Sequence, residues 1–381
     1  MKRIGIIFLS LASLLAASCS VRPEPLMRPV ELVEGMLADT TQYYSRQVIA
    51  AGAAHNDHGT IAVVGAPQDV ILVTEGLLTS DFHDNISARH ESDGLPDFAG
   101  ETVAQVLDIA GAPYSAYGTM DQNQTFRTLN VRNFLQAVDT TCLRSQADES
   151  SIQFKQRAKL VVFASSYSGA ARFDIDTLCS SLGVKIPVFM PVETVADYSA
   201  RIFGERPNLM VWADADKAAK GVWKTGVHGT MFQTQAPEDG VAADSTVRAG
   251  FLRALDNYLD SGNEAKLSGL VIDNVPVAVD ALRRVVDELL STDDDNLLIY
   301  RNILNPDFEC FSVPEAIAHE CYAYLRAANA FTHRIAYPEL RSFFSSPSAD
   351  HVVELRDRYF SEQLMDFMEE YAPKTFSLYV R

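Results

Sequence analysis

Short, mainly apolar runs of four or five residues recur along this chain and constrain its fold more than any other feature. They lack the regular polar alternation of a half-exposed strand, so they fit strands that are buried on both faces of a sheet. The runs that we predict to be strands are Ile61–Val64, Val70–Thr74, Leu160–Ala164, Pro187–Met190, Leu209–Ala213, Leu270–Asp273 and Leu297–Tyr300, with a last short strand at Thr375–Val380.

Helical patterns separate most of these runs, and strand–helix alternation predicts parallel βαβ units. Only Gly65–Asp69 separates the first two runs, a length that favours a hairpin at a sheet edge. We therefore expect an α/β fold of two Rossmann-like lobes with mainly parallel sheets, followed by a mainly helical C-terminal region. The predicted helices are Pro29–Ala53, Glu101–Ile109, Thr125–Val138, Arg172–Leu182, Thr194–Phe203, Asp216–Trp223, Thr246–Leu259, Val277–Leu290, Pro314–Phe331 and Asp350–Tyr371.

The length of 381 residues suits two domains. We expect a leader over residues 1–18, a proline-containing tether over 19–30, and a first lobe over 31–150 that is completed by 297–381. The second lobe is then expected over residues 151–296. An apolar content of 47% and a charged content of 22% are ordinary for a globular protein, so this body is expected to fold.

The first nineteen residues have the pattern of an export signal. Lys2 and Arg3 precede the apolar run Ile4–Ala17, which is too short to be a stable membrane span. The small residues that lead into Cys19 resemble a bacterial lipobox. That resemblance implies cleavage before Cys19, lipid attachment at this residue, and a cell-envelope lipoprotein that faces the periplasm or the cell surface. An ordinary cleaved signal peptide with an incidental cysteine is the alternative.

The charge of the chain limits its partners. Its formal net charge is −18, and no stripe of Lys and Arg interleaved with aromatic residues is present. Such a surface is repelled by phosphate backbones, which argues against nucleic-acid binding. Anionic lipid is disfavoured for the same reason, so membrane attachment is expected through the lipid anchor only.

The other four cysteines leave two possibilities open. Cys142, Cys179, Cys310 and Cys321 can form disulfides in an oxidising compartment, in any of three pairings, or stay buried thiols. No CxxC pair occurs, which argues against a cysteine zinc site or a thioredoxin-like redox pair. No motif requires a cofactor.

A dense polar segment follows the run Val70–Thr74. Because ligands in open α/β sheets bind beyond the carboxyl ends of strands, we expect this segment to contact a ligand. It holds the donor types of a hydrolytic metal site, although the spacing matches no metal motif and no HExxH is present. A loop whose Asp and Asn residues cap turns is the alternative. The residues concerned are Glu75, Asp81, His83 and Asp84, together with His55, Asp57 and His58 before the first strand.

A second candidate lies after Leu160–Ala164. Ser165, Ser166, Ser168 and Gly169 form a turn of small residues in which backbone N–H groups can approach a carboxylate or phosphate, and Arg172 begins the next helix. Simple N-capping also explains a serine here. The GxxxxGK[ST] and GxSxG motifs are absent, so neither a P-loop nor a serine nucleophile elbow is supported.

Polar turns also follow three further runs. They are Pro191–Thr194, Asp214–Lys217 and Asp273–Pro276. Each is an ordinary helix cap when taken alone. Several polar strand ends at one edge of a sheet nevertheless predict a cleft for a small molecule.

The region from Lys159 to Leu290 resembles the aspartate/glutamate racemase superfamily. Ala164–Tyr167, Ile186–Val188 and Asp273–Pro276 stand where that family has a strand ending in Ala-Cys-Asn-Thr, a strand beginning Ile-Pro-Val, and Gly-Cys-Thr-His. The resemblance implies a shared α/β fold over about a third of the chain. The two cysteines that serve the family as acid and base are Ser165 and Asn274 here, so a two-thiol racemase is not expected.

These observations favour a cell-envelope lipoprotein that binds a small polar or anionic ligand in a cleft between two lobes. One alternative is a hydrolase or isomerase that uses His83 with Asp81 or Asp84, with or without a divalent metal. A non-catalytic subunit of an envelope complex is the other. The predicted walls of the cleft are Ser165, Ser166, Ser168, Arg172 and Asn274 on one side, and Glu75, Asp81, His83 and Asp84 on the other.

Overall fold

The computed structural model of the protein describes residues 27–38, 43–53, 58–87, 89–117, 123–143, 152–223, 230–235, 244–275, 277, 279–332, 334–345 and 376–378. The helices are α1 (Glu31–Ala38), α2 (Tyr43–Ala53), α3 (Pro67–Thr79), α4 (Gln124–Val138), α5 (Arg172–Ser181), α6 (Pro191–Phe203), α7 (Ala215–Lys220), α8 (Asp244–Asp260), α9 (Val279–Ser291), α10 (Leu298–Ile303) and α11 (Val313–Ala327). The strands are β1 (Thr60–Gly65), β2 (Thr102–Asp108), β3 (Thr141–Leu143), β4 (Ile152–Phe154), β5 (Ala158–Phe163), β6 (Val188–Phe189), β7 (Asn208–Ala213), β8 (Thr230–Gln235), β9 (Leu267–Ile272), β10 (Leu304–Ser312), β11 (Glu339–Ser345) and β12 (Phe376–Leu378).

The strands form two sheets. The larger sheet has the order β4-β3-β12-β11-β2-β1-β5-β6, and the smaller has the order β10-β9-β7-β8. All pairs of the smaller sheet are parallel, as are the central pairs of the larger one. The pairs β11–β12 and β3–β4 are antiparallel. The expected α/β class with mainly parallel sheets is confirmed.

The hydrophobic core is layered, with helices on both sides of each sheet. Helices α3, α6 and α11 lie between the two sheets and pack against both. Helices α1, α2, α4 and α5 cover the outer face of the larger sheet. Helices α8, α9 and α10 cover the outer face of the smaller sheet. The central strands β1, β2, β5, β7 and β9 are therefore buried on both faces, as the apolar runs require.

Strand β1 shows how the sequence produces this layering. Ile61 and Val63 point into the central helical layer, whereas Ala62 and Val64 point into the outer one. All four side chains are fully buried. Since successive side chains of a strand point to opposite faces, a strand between two helical layers must be apolar throughout.

Three predicted elements are wrong. Val70–Thr74, expected as a strand, lies in α3, because Pro67 begins a helix and Val70, Val73 and Leu77 are buried at helical spacing. The predicted hairpin is therefore absent: α3 directly follows β1.

The other two misread segments lie further along the chain. Glu101–Ile109, expected as a helix, contains β2, which is buried on both faces. Leu297–Tyr300, expected as a strand, overlaps α10, and the strand β10 follows it. Short apolar runs of this kind fit a buried strand or one face of a helix equally well, so local periodicity could not separate the two.

The expected lobe boundary between residues 150 and 151 is also wrong. Strands β5 and β6 belong to the larger sheet together with β1 and β2. The smaller sheet is built from β7 to β10 only, and the chain returns to the larger sheet at β11. Strands and helices alternate on both sides of the point where the chain passes from one sheet to the other, so the sequence gives no indication of that point.

Several expectations concern residues outside the described ranges. The leader, Cys19 and the helix predicted at Asp350–Tyr371 all lie there, whereas the predicted last strand is present as β12. The helix expected from Pro29 to Ala53 is two helices, α1 and α2. Among the described helices none is both long and apolar enough to cross a membrane.

Candidate functional site

Four strand ends from the two sheets meet at one buried cluster of polar side chains, which we call the interlobe network. From the larger sheet, Asp69 lies in the first turn of α3 after β1, and Ser165 and Ser166 follow β5. From the smaller sheet, Lys217 lies in α7 after β7, and Asp273 follows β9. Carboxyl ends of parallel strands are where α/β proteins place their ligand sites.

Lys217 lies at the centre of the interlobe network and is only 3% exposed. Its ammonium nitrogen is 3.3 Å from Asp273 Oδ1, 3.7 Å from Asp214 Oδ2 and 3.9 Å from Asp69 Oδ1. One ammonium group thus faces three carboxylates that come from both sheets. These charges raise the pKa of Lys217 despite the opposing effect of burial, so the side chain stays protonated.

Asp273 ties the two sheets together with its second oxygen. This oxygen, Oδ2, accepts hydrogen bonds of 2.7 Å from the hydroxyl of Ser166 and from the indole N–H of Trp223. The carboxylate is fully buried. With Lys217 on Oδ1, each of its oxygens has a partner, which is what a buried charge requires.

Asn274 reaches from the smaller sheet to the larger one. Its side-chain nitrogen donates to Asp69 Oδ1 at 3.1 Å and to the carbonyl oxygen of Ala164 at 3.0 Å. Its backbone has φ = 50°, a left-handed conformation that is uncommon outside glycine. The amide oxygen, Asn274 Oδ1, is buried and has no hydrogen-bond partner among the described residues. A buried polar atom without a protein partner requires an explanation, and a bound water, ion or ligand group supplies one.

The surroundings of Asp69 shift the pKa of its carboxyl group. Burial raises the pKa of its carboxyl, and the neighbouring Asp273 raises it too. Lys217 opposes this effect, as do the Ser165 and Asn274 side chains beside the carboxyl. A carboxyl group with a raised pKa can exchange a proton with a bound molecule at a pH closer to neutral.

The turn after β5 makes a second link between the two sheets. The hydroxyl of Tyr167 donates to Asp216 on α7, and the ammonium group of Lys220 lies 2.8 Å from the same carboxylate. Lys217 and Lys220 both lie near the face of the Tyr167 ring, at 5.8 and 5.6 Å from its centre. Both ammonium groups are therefore within cation–π distance of this ring.

The structure brings together some of the predicted site residues. Ser165, Ser166 and Asn274 all belong to the interlobe network, and Ser168 is buried in the same turn, its hydroxyl without a partner among the described residues. Arg172 lies on α5 outside the interlobe network, and its Nε is 2.9 Å from Asp176 Oδ2.

Glu75 and the ion pairs of Arg172 lie outside the network. Arg172 also contacts Glu193 at 3.2 Å and donates to the Val188 carbonyl, which occupies its guanidinium at the edge of the larger sheet. Glu75 is exposed on α3. Neither residue contacts the strand ends that form the network.

The segment after α3 does not form the second wall of this cleft. Since α3 returns from the carboxyl end of β1, the segment that follows it lies at the opposite edge of the larger sheet. Asp81 accepts hydrogen bonds from the Ser92 hydroxyl and from two backbone N–H groups. Asp84 accepts from the N–H groups of Ile86 and Ser87. Both aspartates thus cap turns within a loop, which is the alternative interpretation of this segment.

His83 has different surroundings from the two aspartates. Its ring lies 3.4 Å from the buried carboxylate of Asp97 and close to the rings of His90 and His319. His55 and Asp57 lie outside the described residues, and His58 is exposed. Cys142, Cys179, Cys310 and Cys321 are buried thiols, not disulfides.

The sequence did not single out three residues of the network. Asp69 was assigned to a loop because α3 was predicted as a strand, although a helix that starts directly after β1 would have placed it at a strand end. Lys217 was named only within the polar turn Asp214–Lys217, without a role of its own. Trp223 gave no signal, because its contact with Asp273 spans fifty residues.

A separate cavity of about 500 Å³ opens on the outer side of the larger sheet. It lies between α1 and α4, and its charged lining consists of Arg28, Glu31, Glu34 and Arg132. Its two arginines are balanced by its two glutamates, so this lining carries no net charge, in contrast to the carboxylate-rich interlobe network.

The sequence matches no known family model and no curated protein. Solved structures similar to this chain include glutamate and aspartate racemases. The glutamate racemase from Bacillus anthracis is 12% identical, with a TM-score of 0.44, over 79% of this chain and 94% of that one. The glutamate racemase from Thermus thermophilus is 14% identical, with a TM-score of 0.44, over 80% and 94%. An aspartate racemase homologue from Pyrococcus horikoshii is 12% identical, with a TM-score of 0.38, over 71% and 99%. Values this low support no conclusion about activity or substrate.

The network predicts a pH-dependent loss of stability when Lys217 is removed. Lys217→Met leaves Asp69 and Asp273 buried without their counter-charge, which we expect to cost about 3–5 kcal/mol in the free energy of unfolding at pH 7.5. Without the ammonium, the pKa of Asp69 in the folded state rises further above its unfolded value. The folded state then binds more protons than the unfolded state, so the loss should become smaller as the pH falls toward 5.

Urea unfolding at pH 7.5 and pH 5 measures both effects. Lys220→Met is the matched control, since Lys220 lies one helical turn away and pairs with the half-exposed Asp216. It should cost no more than about 1 kcal/mol, with little change over this pH range. Equal losses for the two variants would show that Lys217 is not the centre of a buried network.

Proposed function

We propose that the interlobe network binds a small polar ligand through hydroxyl or ammonium groups of that ligand. The observation that carries this proposal is the buried Asn274 Oδ1, which has no hydrogen-bond partner among the described residues and lies on the side chain that contacts Asp69. A ligand N–H or O–H group that donates to this oxygen supplies the missing hydrogen bond.

The charge of the network supports a ligand that donates hydrogen bonds over one that carries negative charge. Three carboxylates, Asp69, Asp214 and Asp273, surround the single ammonium of Lys217. That ammonium is already paired, and Arg172 is held by Asp176. An anion would meet net negative charge here, whereas an ammonium or a neutral hydroxyl group would not.

Thermal unfolding of the full chain with four probes tests this preference. Ribitol, putrescine and alanine present hydroxyl or ammonium donors, and succinate presents two carboxylates. We expect stabilisation by at least one donor probe and none by succinate, since a ligand at 100 times its Kd stabilises by about 2.7 kcal/mol. Asn274→Ala should weaken that binding at least about tenfold through the lost hydrogen bonds.

Arg172→Ala is the matched control, and it should leave binding of the donor probe unchanged. The proposal fails if no donor probe stabilises the protein or if Asn274→Ala binds as tightly as the wild type. It also fails if succinate binds best. Loss of succinate binding in Arg132→Ala would then assign the ligand to the cavity beside α1.

Proton transfer at the same site is a second candidate function, which makes the protein an isomerase-type enzyme. Asp69 favours it, because burial raises the pKa of this carboxyl and it lies beside the Ser165 and Asn274 side chains. Neither Ser165 nor Asn274 can replace a thiol as an acid or base near neutral pH. Asp69 would therefore be the single proton carrier of the site.

Solvent exchange separates this enzyme from a binding protein. If Asp69 removes an α-proton, the wild type should exchange the α-protons of an added amino acid mixture for deuterium in D₂O, as followed by ¹H NMR. Asp69→Asn should abolish the exchange, whereas Arg172→Ala should retain it. No exchange above the protein-free rate leaves binding as the sole activity of the site.

Attachment to the cell envelope through a lipid on Cys19 is part of the proposal. Its support is the sequence alone: the cationic start, the short apolar run and the small residues before Cys19. Two or more acyl chains give stable anchoring to a membrane, which the acidic body would not provide by charge.

Fractionation of expressing bacterial cells checks the anchor. The wild type should be in the membrane fraction and incorporate a labelled fatty acid, and Cys19→Ser should lose the label. Cys179→Ser changes one buried thiol of the body and should keep both the label and the membrane location. Equal labelling of Cys19→Ser and the wild type would contradict the lipid site.

A further inference from the structure

Three histidines converge at the edge of the larger sheet that lies opposite the interlobe network. The centres of the His83, His90 and His319 rings are 5.1, 5.2 and 5.3 Å apart, which is nearly an equilateral triangle. One ring nitrogen from each lies within 4.8 Å of the other two. We call these residues the histidine cluster. They come from two distant segments, the loop after α3 and the middle of α11.

Two of the three rings are held in place by aromatic stacking. His319 is buried on α11 and stacks against Phe82 at 4.4 Å and Tyr198 at 4.9 Å. The ring of His83 stacks on Tyr322 at 4.0 Å, with the two planes almost parallel. Such packing fixes the orientation of both imidazoles before any ligand arrives.

The buried carboxylate of Asp97 orients His83. Its Oδ2 is 3.4 Å from His83 Nδ1, and the same carboxylate accepts the backbone N–H groups of Phe82 and His83 at 3.0 and 2.9 Å. A carboxylate on one nitrogen of an imidazole leaves the other nitrogen, Nε2, available to bind a metal. This is the outer-shell arrangement that histidine ligands of metals usually have.

The loop that carries His83 and His90 is closed by its own aspartates. Asp81 binds Ser92 and the two residues after it, and Asp84 holds the turn between the two histidines. Both histidines are therefore presented by a preorganised loop. His90 is exposed, so hydrophobic burial does not explain why its ring lies against the other two.

We propose that His83, His90 and His319 bind a zinc ion, with Asp97 as the outer-shell partner of His83. Three imidazoles are a common protein ligand set for Zn²⁺, which takes water in the fourth position. A tetrahedral site with Zn–N distances of about 2.0–2.1 Å needs nitrogens about 3.3 Å apart. The exposed His90 ring supplies most of that closing movement, and its side of the site is open to water.

This site is separate from the interlobe network. Asp69 lies in the first turn of α3, and the histidine loop begins after Thr79, the last residue of the same helix. Ten residues of helix span about 15 Å. The zinc proposal therefore does not depend on what binds between the lobes.

Zinc titration of the metal-stripped full chain against a chromophoric chelator tests the proposal. We expect one Zn²⁺ per chain and a higher thermal midpoint of unfolding when it is bound. His90→Ala should abolish this tight binding while the protein stays folded, because His90 is exposed. Asp97→Asn should weaken it by about 10–100-fold, since the histidine loses its orienting carboxylate.

His58→Ala is the matched control, since His58 is an exposed histidine outside the cluster, and it should bind zinc as the wild type does. His319→Ala with folding checked by circular dichroism gives a second test of the ligand set. Zinc binding that survives in both His90→Ala and His319→Ala would assign the metal to the acidic surface and overturn the proposal. The absence of stoichiometric binding to the wild type would overturn it as well.

Discussion

The burial of the Lys217 ammonium is the constraint on which the relative position of the two sheets depends. Removing such a charge from water costs several kcal/mol unless counter-charges are placed around it. Those counter-charges are Asp69 after β1, Asp214 after β7 and Asp273 after β9. A shift of either sheet would separate the ammonium from one of its partners. Asp273 extends the constraint, because Ser166 from the larger sheet donates to it.

The interlobe network contains more carboxylate groups than the stability of the fold requires. This excess is a reason to consider a functional role for the network. A buried pair serves stability no better than apolar packing of the same volume, so three carboxylates around one ammonium are not explained by stability. The raised pKa of Asp69 is a cost in the folded state, and so is Asn274 Oδ1, which has no hydrogen-bond partner in the described part of the chain. Such costs collect at sites where a ligand is bound or a proton is moved.

The sequence was sufficient to predict the fold class and to name three residues of the interlobe network, and the reasons are physical. Ser165, Ser166 and Asn274 were predicted because they follow apolar strands, and strand ends meet at one edge. Helix α3 was missed, since short apolar runs do not distinguish strand from helix. The lobe boundary was missed because strands and helices alternate on both sides of it. His319 was missed for another reason: its contact with His83 spans more than two hundred residues, and no local spacing records it.

Helices α3 and α11 connect the two candidate sites through the layer between the sheets. Gly76 on α3 lets α11 approach closely, since a Cβ there would lie 2.8 Å from the Cβ of Pro314. Asp69 lies at one end of α3, and the loop with His83 follows its other end, facing His319 on α11. A metal bound to the histidine cluster would fasten this loop to α11. It would thereby stabilise the layer on which both sheets pack.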